Sequence, residues 1–191
     1  MKAVRSASAA PRRGFTLVEL MVVVAIVSVL ATLGVYGTRR YIASSKTGEA
    51  IQLLGAIKAA QESYKDETFG YLPVSGTAFA DDKYYPKNGK PGQAKAMWGG
   101  TDALSESWGT LGVNPNGPVL FVYACIAGGP GDTVASPVES NDIKIDNWPS
   151  AALGTPWYVA KAKADLDAGE PHTVYVAPSF TTQIFSANEG E

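Results

Sequence analysis

Glu19 is the only charged residue between Phe15 and Thr38. A carboxylate at the centre of a membrane-spanning helix costs roughly 2.5–3.5 kcal/mol on insertion scales, so it usually indicates a function and a partner for its charge. Thr16 precedes it at the Thr-x-x-Glu spacing of a capping box, in which the carboxylate only satisfies a backbone amide at the helix start. The two interpretations are compatible, because a capping carboxylate could later pair with a partner.

The other groups able to do chemistry give weaker patterns. Cys125 and His172 are the only cysteine and the only histidine, which excludes an intrachain disulfide and a Cys/His metal cluster. They could form a nucleophile and base, but Cys125 lies in an apolar run and is predicted to be a core residue. Asp165 and Asp167 are separated by one residue, as in a calcium-binding turn, but the full EF-hand pattern is missing. We therefore interpret this segment as a solvated hairpin tip in preference to a calcium site. We therefore expect no enzyme, no cofactor and only weak metal candidates.

Charge is unevenly distributed along the chain. The first thirteen residues contain four basic residues and no acidic one, whereas the rest of the chain carries 18 acidic residues against 12 basic ones. A mildly acidic body without basic clusters does not favour binding to a phosphate backbone. No specific nucleic-acid binding is predicted.

The apolar block over residues 15–38 is long enough to cross a membrane. About twenty apolar residues in a helix cover a ~30 Å hydrocarbon core. Basic residues before the block favour an N-terminus held in the cytoplasm, with the remainder of the chain facing outward.

The helical pattern continues beyond the apolar block, over residues 39–66. Apolar and neutral positions recur there at three- and four-residue spacing, which predicts an amphipathic helix with one buried face: Ala50, Leu54, Ile57, Gln61 and Tyr64. No proline interrupts residues 15–66. A single helix of roughly fifty residues, about 75 Å long, is therefore expected.

The sequence after residue 66 predicts a loop-rich region over residues 67–118 and an antiparallel β region over residues 119–191. Strand patterns occur at residues 119–127, 157–164, 173–177 and 181–186. The second alternates in a way that predicts a half-buried strand, and the long connection over residues 128–156 is interpreted as a recognition surface or a disordered loop. The expected fold is α+β, with the N-terminal helix packed on a sheet of about four strands.

The string from Arg12 to Met21, Arg-Arg-Gly-Phe-Thr-Leu-Val-Glu-Leu-Met, resembles the class III signal of type IV prepilins and of type II secretion pseudopilins. The resemblance implies that residues 1–14 are a leader cut between Gly14 and Phe15 by a prepilin peptidase. It further implies N-methylation of Phe15 and a role for Glu19 in assembly. Many family members have a proline within the apolar helix, whereas this chain has Gly34-Val35-Tyr36-Gly37, so melting of the helix on assembly is an open question.

The same resemblance implies a structural filament subunit. Its partners would be other pilin subunits, the prepilin peptidase, membrane lipid before assembly, and inner-membrane machinery with a cytoplasmic ATPase. The subunit would reside in the bacterial inner membrane and then in an extracellular pilus or a periplasmic pseudopilus. Adhesion, motility, DNA uptake and secretion all stay open as roles.

Three alternative interpretations differ in the final location of the protein. A pseudopilin of type II secretion shares the signal and the helix. A Tat-exported soluble protein would use the twin arginine and conventional cleavage after Val29-Leu30-Ala31, although Glu19 and the length of the apolar block disfavour this. A plain single-pass anchor is the third alternative.

Overall fold

The computed structural model describes residues 14–86, 94–139, 142–166 and 172–188. The chain divides into two compact units, residues 1–40 and residues 41–191, and we call the second unit the head. Along the chain lie the helix α1 (Leu17–Thr68), a short 3-10 helix (Asp81–Lys83), the helix α2 (Ala103–Leu111), and four strands. The strands are β1 (Val122–Gly128), β2 (Trp157–Ala164), β3 (Thr173–Pro178) and β4 (Phe185–Ala187).

The predicted long helix is present as α1, which contains 52 residues. It continues through Gly34 and Gly37 without a break. It ends where Phe69 adopts a left-handed backbone (φ 63°) and donates its amide hydrogen to the carbonyl of Lys65, 2.8 Å away. This left-handed residue stops the helical ladder and satisfies one of its last carbonyls.

The four strands form one antiparallel sheet in the order β1-β2-β3-β4. The predicted α+β fold with an antiparallel sheet is therefore confirmed. Two strand boundaries differ from the sequence pattern. The apolar run predicted from Val119 enters the sheet only at Val122, because Val119 forms an isolated bridge with Ala96. The last strand begins at Phe185 and has three residues.

One face of the sheet packs with the second half of α1. Successive strand residues point to opposite faces, so alternate residues of each strand share one core. Leu54 and Ile57 of α1, both fully buried, belong to the same core cluster as Cys125 of β1 and Ala160 of β2. The predicted apolar stripe of α1 is thus its packing face, and the partner of that face is the sheet.

The opposite face of the sheet is also buried, which corrects the prediction of a half-buried β2. Seven of the eight residues of β2 are buried, and Lys161 has no exposed surface. The connection between β1 and β2, residues 129–156, covers this face with Val134 and Ile143, so part of it belongs to the core of the head. Gly128 makes room for the Trp157 ring on this face, because a Cβ there would lie 2.5 Å from that ring.

The helix α2 was not predicted, since it lies within the region interpreted as loop-rich. Asp102 caps its start by accepting a hydrogen bond from the Ser105 amide at 2.8 Å, and Gly112 ends it in a left-handed conformation (φ 76°). Both signals are visible in the sequence. The glycine and proline content around them favours a loop, and this is why the helix is missed.

Candidate functional site

The segment Leu17–Thr38, which we call the apolar segment, forms the first part of α1. It contains 22 residues with a mean hydropathy of 2.5, and none of its most apolar stretch is buried. Large side chains are exposed on every side of the helix, for example Val24 at 56%, Ile26 at 54% and Leu33 at 64%. A helix that is apolar all round requires an apolar surrounding, either lipid or other protein.

The serine and threonine hydroxyls of the apolar segment are hydrogen-bonded within the helix. Ser28 donates to the carbonyl of Val24 at 2.7 Å, Thr32 to that of Ser28 at 2.9 Å, and Thr38 to that of Gly34 at 2.8 Å. A polar group in hydrocarbon costs several kcal/mol unless it is hydrogen-bonded. These three residues therefore enter an apolar surrounding without leaving an unpaired donor.

Glu19 makes the capping box that its spacing predicted. Its Oε2 accepts hydrogen bonds from the Thr16 amide at 2.8 Å and from the Thr16 hydroxyl at 2.7 Å, while the Glu19 amide donates to Thr16 Oγ1 at 3.2 Å. These contacts are exposed, and both carboxylate contacts fall on Oε2. The cap thus uses one of the two carboxylate oxygens and leaves the side chain at the surface of the helix.

Gly14 and Phe15 precede the helix in an exposed, non-helical stretch. The side chain of Phe15 is 88% exposed, and a Cβ placed on Gly14 would meet no atom of the described residues within 4 Å. Packing therefore does not explain why position 14 is a glycine. The peptide bond between these two residues therefore lies in an exposed, non-helical stretch.

Two polar residues of α1 fasten the helix to the rest of the head. Gln61 is fully buried; its Nε2 donates to the Leu72 carbonyl at 2.8 Å and to Cys125 Sγ at 3.2 Å, and its Oε1 accepts from the Leu72 amide at 2.9 Å. Glu49 accepts from the Leu120 amide at 2.5 Å and lies 3.6 Å from the Lys95 ammonium. Their anchoring roles were not predicted, although a glutamine within an apolar stripe is the signal for a buried amide.

Cys125 and His172 are not brought together as a nucleophile and base. Cys125 lies on β1 opposite Ala160, and Ala160 lies opposite Ala177 of β3. His172 precedes β3 by one residue and is five residues from Ala177, roughly 16 Å along an extended strand. Burial raises the pKa of the Cys125 thiol to about 12, which is the condition of an unreactive core cysteine.

The weak metal candidates divide between described and undescribed residues. Asp165 follows β2, whereas Asp167 lies outside the described residues. Within the ranges that the structure describes, no group of three or more His, Cys, Asp or Glu side chains could hold a metal ion. The preferred interpretation of this turn as a solvated hairpin tip stays a prediction, with calcium binding as its weaker alternative.

The fold and the exposed apolar segment are those of a protein whose N-terminal helix needs an apolar surrounding outside its own head. The sequence profile of the prokaryotic N-terminal methylation motif matches residues 10–35. The type IV major fimbrial protein FimA of Dichelobacter nodosus is 33% identical over 140 residues, which cover 71% of this chain and 80% of FimA.

Two further relatives align with less than half of this chain. The fimbrial protein EcpC of Eikenella corrodens is 37% identical over 67 residues, covering 35% of this chain and 43% of EcpC. The type IV major pilin protein PilA of Myxococcus xanthus is 44% identical over 59 residues, covering 31% of this chain and 27% of PilA. No solved structure gives a significant match.

This chain belongs to the type IV pilin family, a family of structural pilus subunits. Membership implies polymerisation with other pilin subunits and a membrane-anchored state before it. These relatives are named as fimbrial and pilin proteins. The predicted resemblance and the predicted structural role are confirmed.

Proposed function

We propose that this chain is cleaved between Gly14 and Phe15, methylated at Phe15, and polymerised into a type IV pilus through its apolar segment, with Glu19 selecting the register. The observation that carries this proposal is the exposure of the whole apolar segment. Lipid covers that surface before assembly, and the helices of neighbouring subunits cover it afterwards.

Processing creates the partner for Glu19. Cleavage after Gly14 produces a positively charged amine on Phe15, four residues before the carboxylate. In a staggered array, Glu19 of one subunit meets the amine of another. Opposite charges in an apolar surrounding offset their desolvation only when the geometry is good, so this contact favours one axial register over others. The capping box holds the side chain ready at the helix surface until that partner arrives.

The remaining partners follow from the family. A prepilin peptidase cuts and methylates the subunit, and inner-membrane machinery driven by a cytoplasmic ATPase extracts it from lipid. The basic residues before Gly14 place the leader in the cytoplasm by the positive-inside rule, so the head faces outward. The match to fimbrial relatives favours a surface pilus over the pseudopilus of a type II secretion system.

Intact-mass measurement of membrane and filament material tests the processing step. The mature chain should begin at Phe15, carry one added methyl group and retain the apolar segment. Gly14→Val should accumulate with its leader, and this loss cannot be attributed to packing, because no described atom lies within 4 Å of a Cβ built on Gly14. Gly34→Ala, within the helix and equally free of neighbours, is the matched control and should be processed normally.

A mature chain that starts near Thr32 would contradict the proposal, since that start corresponds to conventional signal cleavage and removes Glu19. Complete processing of Gly14→Val would equally contradict the assigned cleavage site.

A further inference from the structure

Lys161 lies on the inner strand β2 and has no exposed surface. Its Nζ atom lies 2.6 Å from Asp142 Oδ2, 2.7 Å from Glu139 Oε2 and 2.7 Å from the carbonyl oxygen of Pro137. All three partners belong to the connection between β1 and β2, on the face of the sheet opposite to α1. The amine thus joins the sheet to the segment that covers it.

The surroundings of this cluster exclude most water. The side chains of Asp142 and Glu139 are 7% and 18% exposed. The ring of Phe79 lies 5.5 Å from Lys161 Nζ, and the Tyr84 hydroxyl, whose pKa is raised chiefly by burial, donates to Glu139 Oε2. Two carboxylates face one amine here, so a fully ionised cluster would carry a net charge of −1 in a nearly dry site. Burying such charges carries a large desolvation cost.

Both carboxylate oxygens of Asp142 are held by polar contacts. Its Oδ1 accepts a hydrogen bond from the Glu139 amide at 3.0 Å, whereas its Oδ2 contacts Lys161 Nζ. A backbone donor on one carboxyl oxygen stabilises the negative charge that develops there when a nucleophile adds to the carbon. Glu139 contacts the same amine and is the more exposed of the two acids, so it is placed to move a proton.

We propose that Lys161 and Asp142 condense into an intramolecular isopeptide bond, with Glu139 transferring the proton. Within the pair, the Lys161 ammonium first gives a proton to Asp142. The amine lone pair then forms the Nζ–Cγ bond, Glu139 accepts a proton from Nζ and returns it to Oδ2, and the Cγ–Oδ2 bond breaks to release water. Oδ1 becomes the amide oxygen and keeps its hydrogen bond to the Glu139 amide. The step needs no oxidant, reductant or activating group.

Two physical effects favour this condensation in the folded head. Holding the reacting groups in contact replaces a bimolecular encounter, and effective molarities of about 10⁵–10⁸ M are reached in well-oriented intramolecular reactions. The product also replaces the Lys161 and Asp142 charges by one neutral amide, and the released water returns to solvent. Glu139, the more exposed of the two acids, keeps the hydrogen bond from the Tyr84 hydroxyl. The chain contains a single cysteine, so it has no disulfide with which to lock this connection.

Denaturing mass spectrometry of the full-length wild-type chain tests the proposal directly. After allowance for leader removal and methylation, the intact mass should be lower than the sequence mass by one water. Peptide mapping should recover a branched peptide that joins Lys161 to Asp142, and trypsin should not cut after Lys161. A full sequence mass together with cleavage after Lys161 would overturn the proposal, and would identify the cluster as a buried ion pair only.

Three variants assign the roles within the cluster. Lys161→Arg keeps a cation but cannot condense, so it should show the full mass. Glu139→Gln keeps both reacting groups and should also show the full mass, and water loss in this variant would overturn the role of Glu139. Lys163→Arg, on the same strand and 19% exposed, is the matched control and should still lose one water. The wild-type mass decides the central step whether or not a variant folds.

Discussion

The two halves of α1 are parts of one helix, yet apolar side chains are distributed differently over their surfaces. In the apolar segment, large apolar side chains are exposed on every side, whereas in the head the same helix buries one stripe and exposes the other side. Leu33 is 64% exposed and Leu54 is fully buried. The first half therefore depends on surroundings that the subunit does not supply, and the second half is completed by the sheet. Periodicity distinguishes the two cases, since a stripe predicts an internal partner and an all-round apolar surface predicts an external one.

Removing the first half should change the behaviour of the protein most. A chain that begins at Ser45 lacks the apolar segment and retains the buried stripe, so it should be soluble without detergent, monomeric and folded. Analytical ultracentrifugation and circular dichroism check this. An unfolded product would show that the head depends on the first half of α1.

Truncating one leucine in each half should separate them by stability. Leu54→Ala should lower the free energy of unfolding of the head by about 2–5 kcal/mol, because it removes fully buried methyl groups and leaves a cavity. Leu33→Ala should leave head stability unchanged. Fluorescence of the full-length chain in detergent reports on the head alone, because all four tryptophans lie within it. Equal losses in both variants would contradict the division.

In the second half of α1, a buried polar residue should also contribute more to stability than an exposed one. Gln61→Ala should cost about 2–3 kcal/mol, because the amide and carbonyl of Leu72 lose their partner in a buried site. Gln52→Ala, on an exposed position of the same helix, should change stability by less than about 0.5 kcal/mol. Urea unfolding of the head measures both. A neutral Gln61→Ala would show that water replaces the amide there.

The smallest effect is expected away from α1. Asp102→Ala removes the cap of α2 and should cost about 1 kcal/mol. Asp102→Asn, which retains an oxygen acceptor, should recover most of that loss. If both variants cost the same amount, the contribution of Asp102 comes from a contact other than the cap.

Local patterns allowed much of this molecule to be predicted. The stripe of α1, the bounds of β2 and the contact of Thr16 with Glu19 depend on residues close in sequence, where helix and strand periodicity apply. The burial of Lys161 could not be predicted in this way. Its partners Asp142 and Glu139 lie 19 and 22 residues away, on a connection without regular structure. A lysine at an alternating position of a strand is predicted to face solvent. Only the three-dimensional position of the connection shows that this lysine is buried.

The candidate site shows the same limit. Sequence spacing predicted the capping contacts within one subunit, and the structure has them. The amine proposed to replace them comes from a neighbouring subunit, so no pattern within one chain encodes its position.

The most direct test of the account is filament yield per membrane-resident subunit for Glu19→Gln. This variant should insert, fold and be cleaved as the wild type does, but its filament yield should fall by at least about tenfold, since ~1.4 kcal/mol lost per contact changes an equilibrium constant tenfold. Glu62→Gln makes the same change on an exposed glutamate in the second half of α1 and should assemble normally. Wild-type filament yield from Glu19→Gln, with cleavage confirmed by mass, would show that Glu19 is only a helix cap and would contradict the account.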